Sequence, residues 1–185
     1  MKNKFLFLLS FLPAFFIISC SKNVETISVV RNPYLNVTKG TETLNGSDFK
    51  LNGPTDAVAY LSDTAKTGKK VFRYSFQSSL KAANQKNLQL IISFDTSNPN
   101  DFRNIYKTTY NSSGGLHEAS LLVENSNQSY TKYRLTNNPN IYFEVNRLST
   151  DERIFAGSFN LLFQNERDST DLITLSNGKF EDIQY

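Results

Sequence analysis

Val71-Phe72-Arg73-Tyr74-Ser75-Phe76 and Leu88-Gln89-Leu90-Ile91-Ile92-Ser93-Phe94 are the two stretches whose reading decides the fold class. In the first, Phe72, Tyr74 and Phe76 fall on one side of an extended chain; in the second, Leu88, Leu90, Ile92 and Phe94 do. Successive side chains of a strand point to opposite faces, so a period of two marks a strand with one buried face. The alternation returns downstream. Residues 141–146 turn Ile141, Phe143 and Val145 inward and Tyr142, Glu144 and Asn146 outward. Residues 153–163 put Phe155, Phe159, Leu161 and Phe163 on the face that also holds Gly157.

Working outward, further strands are expected at residues 57–61, 105–110, 117–124, 128–135, 172–175 and 179–183. Their connectors carry turn chemistry: Asn98-Pro99-Asn100-Asp101, Ser113-Gly114-Gly115, Asn137-Asn138-Pro139-Asn140 and Asn177-Gly178. The last is the strongest hairpin signal, because a type I′ turn needs positive φ at both central residues. Only residues 79–85 offer a short helix, with a loop as the equal alternative. No internal repeat is present. Roughly eight to eleven short strands with frequent turns imply an all-β fold, an antiparallel β-sandwich or a small β-barrel.

The first twenty residues, MKNKFLFLLSFLPAFFIISC, have a different character. Two lysines precede an apolar run over residues 5–18, within the range of a signal-peptide core and short of the ~20 residues a membrane-spanning helix needs. The run ends Ile17-Ile18-Ser19-Cys20, which resembles the bacterial lipobox. That resemblance implies a signal peptide at 1–19 and acyl chains on Cys20. By resemblance to Gram-negative lipoproteins, Ser21 in place of Asp favours the outer membrane. Each buried methylene contributes about 0.8 kcal/mol, so several acyl chains suffice to hold a protein on a bilayer. Residues 20–50 read as a lipidated Cys followed by a polar tether and loops with uncertain short strands, and 51–185 as one all-β domain.

Composition narrows the function. The chain of 185 residues has 20 Lys+Arg against 17 Asp+Glu, one His, one Cys, one Met and no Trp. Lys2 and Lys4 lie in the leader, so the mature chain carries 18 against the same 17, a net +1, which argues against nucleic acid. With Cys20 committed to lipid, a disulfide framework, a Cys/His zinc site and Cys–His catalysis are excluded.

The carboxy-terminal residues Gly157-Ser158-Phe159-Asn160-Leu161-Leu162-Phe163 and Leu172-Ile173-Thr174-Leu175-Ser176-Asn177-Gly178-Lys179-Phe180, with Tyr185, resemble the ending of an uncharacterised family of Bacteroidota lipoproteins. That ending runs G-x-F-x-[FL], then [IL]-[ST]-N-G-[RK]-F and a final aromatic. The spacing from Phe180 to Tyr185 is one residue longer than the pattern. The resemblance covers about thirty residues, and the family has no assigned function, so it implies no catalytic residues.

Candidate sites are few. His117, beside Glu118, is a possible base or ligand, but a single His without a second His or Cys makes a poor zinc site and reads as a surface or edge-strand residue. Carboxylates cluster as Asp95 with Asp101, Asp151-Glu152, Glu166 with Asp168 and Asp171, and Glu181-Asp182, mostly among Asn and Ser in expected loops. The stretches 95–101 and 165–171 offer oxygen ligands for calcium without EF-hand spacing. Tyr106, Tyr110, Tyr130, Tyr133 and Tyr142 with Lys107, Lys132 and Arg134 could form a basic aromatic surface, although Tyr at alternating positions is ordinary sheet composition. Asp63-Thr64-Ala65 and Asp168-Ser169-Thr170 look like the sites at which Bacteroidota O-glycosylate exported proteins. The expectation is a lipid-anchored, non-enzymatic binding or structural module of the bacterial envelope. It would hold membrane lipid through Cys20, meet other envelope proteins or glycans, and need no cofactor or metal. The alternatives are an envelope hydrolase or calcium-dependent glycan-binding domain using loop carboxylates, and a small barrel carrying an apolar ligand.

Overall fold

The alternating runs become strands because each can bury one face against its neighbours. The computed structural model describes residues 32–60, 68–81, 87–103, 114–136 and 138–185. It holds β1 (Tyr34–Lys39), β2 (Glu42–Tyr60), β3 (Gly68–Lys81), β4 (Leu88–Thr96), β5 (Gly114–Glu124), β6 (Tyr130–Leu135), β7 (Tyr142–Ser149), β8 (Ile154–Asn165) and β9 (Leu172–Gln184). All pairings are antiparallel, in one sheet of order β6-β5-β4-β3-β2-β1-β9-β8-β7. β6 also pairs with β8, Tyr133 opposite Asn165 and Leu135 opposite Phe163, so the sheet curls into a closed ring. β7 takes over along β8 from Tyr142 opposite Asn160. Because β6 and β7 run the same way along β8, they are two halves of one strand interrupted by residues 136–141. The ring therefore has eight strand positions, an even number, as closure of an up-and-down antiparallel sheet requires.

The expected all-β class is what forms, and the expected inward faces are buried: Leu88, Leu90, Ile92 and Phe94 on β4, and Phe155, Phe159, Leu161 and Phe163 on β8. Three details differ from the sequence reading. The ring begins at Tyr34, so β1 and the first half of β2 belong to it and the boundary expected at residue 51 moves upstream. Asn177-Gly178 is no hairpin turn but lies inside β9, where Asn177 (φ 53) is at a β-bulge opposite Phe159 and Leu161. Only Asn177 has positive φ, which suits a bulge and not a type I′ turn. The segments 172–175 and 179–183 are accordingly one strand. The strand expected at 105–110 and most of the helix-or-loop segment 79–85 lie outside the described residues.

The interior is aromatic. Among the described residues eight Phe side chains are fully buried, and Phe180 sits among Phe155, Phe143, Phe76 and Phe159 with ring centroids at 5.3, 5.4, 5.6 and 6.5 Å. Two of these rings interlock with glycines across β8 and β9. Gly157 pairs with Phe180 and Phe159 with Gly178, so each G-x-F element places its Phe over the other's glycine. The residues that carry the family resemblance are thus a packing device at the centre of the fold.

Strand directions sort the connections into two ends. The turns at 40–41, 125–129 and 166–171 share one end. The chain enters β1 at the other, which also holds residues 97–103, the turn 150–153 and Tyr185. At this entry end Thr96 pins the following loop, its hydroxyl lying 3.2 Å from the Asn98 carbonyl and 3.1 Å from that of Asp101. Phe102 is thereby folded back onto Tyr74, Phe94 and Phe155.

Candidate functional site

A pocket of about 310 Å³ opens at the entry end. Leu51, Gly53 and Pro54 of β2 form one side, where the β2–β3 register shifts. Such an irregularity accommodates Pro54, which lacks an N–H for the ladder. Tyr74 of β3, Pro99 and Asn100 of the pinned loop, Thr150 and Arg153 of the β7–β8 turn, and Tyr185 complete it. The Tyr74 hydroxyl donates to the Pro99 carbonyl, so its ring lines the pocket while its proton is already committed. The Arg153 guanidinium lies over the Tyr185 ring, 5.9 Å from its centroid. Arg153 itself has a left-handed backbone (φ 52), fixed by the Tyr185 N–H donating to its carbonyl at 3.0 Å. Burial raises the phenol pKa of both Tyr74 and Tyr185, in the latter against the pull of Arg153.

The candidate His, carboxylates and basic aromatic residues of the sequence lie outside the pocket lining, in separate groups. Asp95 is a strand residue, 8% exposed, directly opposite Arg73, which donates to its two oxygens at 2.7 and 2.9 Å. In the 95–101 stretch offered for calcium, Asp95 closes an ion pair with Arg73 while Asp101 turns to Arg103 at 2.6 Å. His117 is skipped by the ladder at a β5 irregularity, its Nδ1 3.7 Å from Asp95, too far for a hydrogen bond.

At the opposite end, Glu166 accepts from Arg134 with Lys132 at 3.3 Å, Asp168 accepts from the Thr170 hydroxyl, and Asp171 accepts from Tyr133 and Asn165. These hydrogen bonds hold the carboxyls of Glu166, Asp168 and Asp171 below their ordinary range, and Arg103 and Lys179 do the same for Asp101 and Glu181. A general acid needs the opposite shift. Among the described residues no three His, Cys, Asp or Glu side chains converge as a metal site would require.

The proposed aromatic surface also divides: Tyr130 and Tyr142 are exposed, Tyr133 is buried, and Lys132 and Arg134 are engaged by Glu166. Tyr106, Lys107, Tyr110, Asp63-Thr64-Ala65 and Cys20 lie outside the described residues.

Tyr133 gives a pH signature. Burial, then its bond to the Asp171 carboxylate, pushes its phenol up to about 12. An unfolded tyrosine ionises near 10, so between about pH 10 and 12 the folded protein holds a proton that the unfolded chain has lost. Stability should fall as pH rises through that window. Urea midpoints at pH 9 and 11 should show it, and Tyr133→Phe should make the fall shallower; an unchanged slope in the variant would refute the assignment.

No protein-family model, curated protein or solved structure matches the chain. Among the described residues no helix is long and apolar enough to cross a membrane. The pocket itself was invisible in the sequence, because it joins β2, β3 and two loops with Tyr185 across more than 130 positions. Its local signals, Gly53-Pro54 and Asn98-Pro99-Asn100, read only as chain breakers.

Proposed function

We propose that the protein is a lipid-anchored, non-enzymatic binding module of the bacterial envelope, held at the outer membrane through acyl chains on Cys20. The observation that carries this reading is the aromatic interior, where buried rings in mutual contact occupy the space a carrier would give to its ligand. Recognition is then left to the outside, and the entry-end pocket is a concave surface there. A hydrolase of the glycosidase type needs two carboxylates facing each other across a cleft, about 5–9 Å apart, with one of them held protonated. The carboxylates of Asp101, Glu166, Asp168 and Asp171 favour the ionised form and end on cations, hydroxyls or amides. The chain arriving from Cys20 enters β1 at Tyr34, on the end that bears the pocket.

Two measurements test the proposal. Metabolic labelling with an alkyne fatty acid should mark the wild-type protein and leave Cys20→Ala unlabelled; label retained on the variant would refute the anchor. A pull-down from envelopes with the anchored protein as bait should retain a component through salt washing, and an empty pull-down would count against the module.

A further inference from the structure

We infer that the entry-end pocket is a site for a small organic anion, a carboxylate on a flat apolar body, with Arg153 as its anion-binding group. This deepens the binding-module reading and rests on it. Among the described residues, Arg73, Arg103, Arg134 and Arg147 each end on a carboxylate: Asp95, Asp101, Glu166 and Asp182. Arg153 and Arg167 have no such partner among the described residues, and of the two only Arg153 lines the pocket, its guanidinium over the Tyr185 ring. A cation held over an aromatic face spends none of its N–H donors there, and the guanidinium fork matches a carboxylate in bidentate fashion.

Arg153 is the one charged side chain among the residues that line the pocket. The Tyr74 proton is spent on Pro99, so the side-chain donors left to the pocket among the described residues belong to Arg153, Thr150, Asn100 and the Tyr185 hydroxyl. A single cation among uncharged groups that can donate favours an anionic acceptor. The remaining wall is the rings of Tyr74 and Tyr185 with Pro54, Pro99 and Leu51, surfaces suited to a flat apolar body. At about 310 Å³ the space is at the small end of ligand sites, which span about 300–1,000 Å³, so a single-ring acid suits it better than an extended chain. The site is also held in advance. The Arg153 backbone is fixed by its turn and by the Tyr185 N–H, and the loop bearing Pro99 and Asn100 by Thr96.

The test is calorimetric titration of the full-length protein in detergent with phenylacetate, and with phenylacetamide as its neutral counterpart of the same shape. Phenylacetate should bind with a dissociation constant at or below about 1 mM, the amide at least about tenfold more weakly. Arg153→Gln should weaken phenylacetate at least about tenfold and leave the amide unchanged. Arg167→Gln, an exposed arginine at the opposite end, should change neither. Circular dichroism of Arg153→Gln should match wild type, since the side chain is exposed. Absence of phenylacetate binding, equal affinity for acid and amide, or indifference to Arg153→Gln would each overturn the assignment. Such a failure beside a successful envelope pull-down removes the pocket assignment alone. An empty pull-down beside phenylacetate binding removes the macromolecular partner and leaves the pocket.

Discussion

Gly157→Ala should destabilise the protein by at least about 3 kcal/mol, a large share of the roughly 5–15 kcal/mol that holds a domain folded. A Cβ at this position would lie 1.9 Å from the Glu144 carbonyl oxygen, 3.0 Å from its carbon and 2.6 Å from Phe180 Cζ. The first two atoms are backbone of β7, so no rotamer change relieves the clash; the strand itself must move. Gly157 sits where register shifts meet, between Val145 and Arg147 on one side and next to Phe155 on the other. The irregularities bring β7 and β9 in over the glycine. At Gly178 the added carbon would meet three Phe159 ring atoms at 2.4–2.5 Å, and a ring can tilt, so Gly178→Ala should cost less, about 1–3 kcal/mol. Gly40 has open space around it and positive φ (63), so Gly40→Ala should cost only the backbone strain, about 1 kcal/mol. Urea denaturation of the three variants should rank them in that order. A Gly157→Ala protein no less stable than Gly40→Ala would refute the close-approach account.

The strands were legible where one face is apolar and the run is unbroken, as in β4 and β8, because burial of alternate side chains is a local pattern. β2 was not. Gly46, Gly53 and Pro54 interrupt its pattern, yet they lie beside or within the register shifts at 47–50 and 52–55, where the ladder absorbs them. Asn177-Gly178 misled for a related reason: one residue of left-handed backbone serves a bulge as well as a turn, and the choice depends on β8 lying opposite. Ring closure through β6 and β8 joins residues about thirty positions apart and has no local mark. Asp95 shows the same limit at the level of chemistry. In sequence it opens the polar run Asp95-Thr96-Ser97-Asn98 and looks solvated; only the β3–β4 register places it across from Arg73. The pocket combines all of these dependencies, since each of its walls is set by a bulge, a pinned loop or a tight turn.

Phe180→Ala should cost about 3–5 kcal/mol and lower the melting temperature by roughly 10 °C or more. The ring is fully buried and touches four others, so its removal forfeits both transfer free energy and the aromatic contacts. Its surroundings are held by strands on every side and cannot collapse fully into the space, which leaves an apolar cavity. Engineered cavities of that kind, of about 150 Å³, stay dry and take up benzene. Benzene should therefore raise the melting temperature of Phe180→Ala and leave that of wild type unmoved. The comparison bears on function as well as stability. A wild-type protein stabilised by benzene as strongly as the variant would already have room for an apolar guest, and the carrier reading would displace the binding module. With wild type indifferent and the variant responsive, the interior is a filled core, and selectivity for a ligand has to be built at the ring's entry end, around Arg153 and Tyr185.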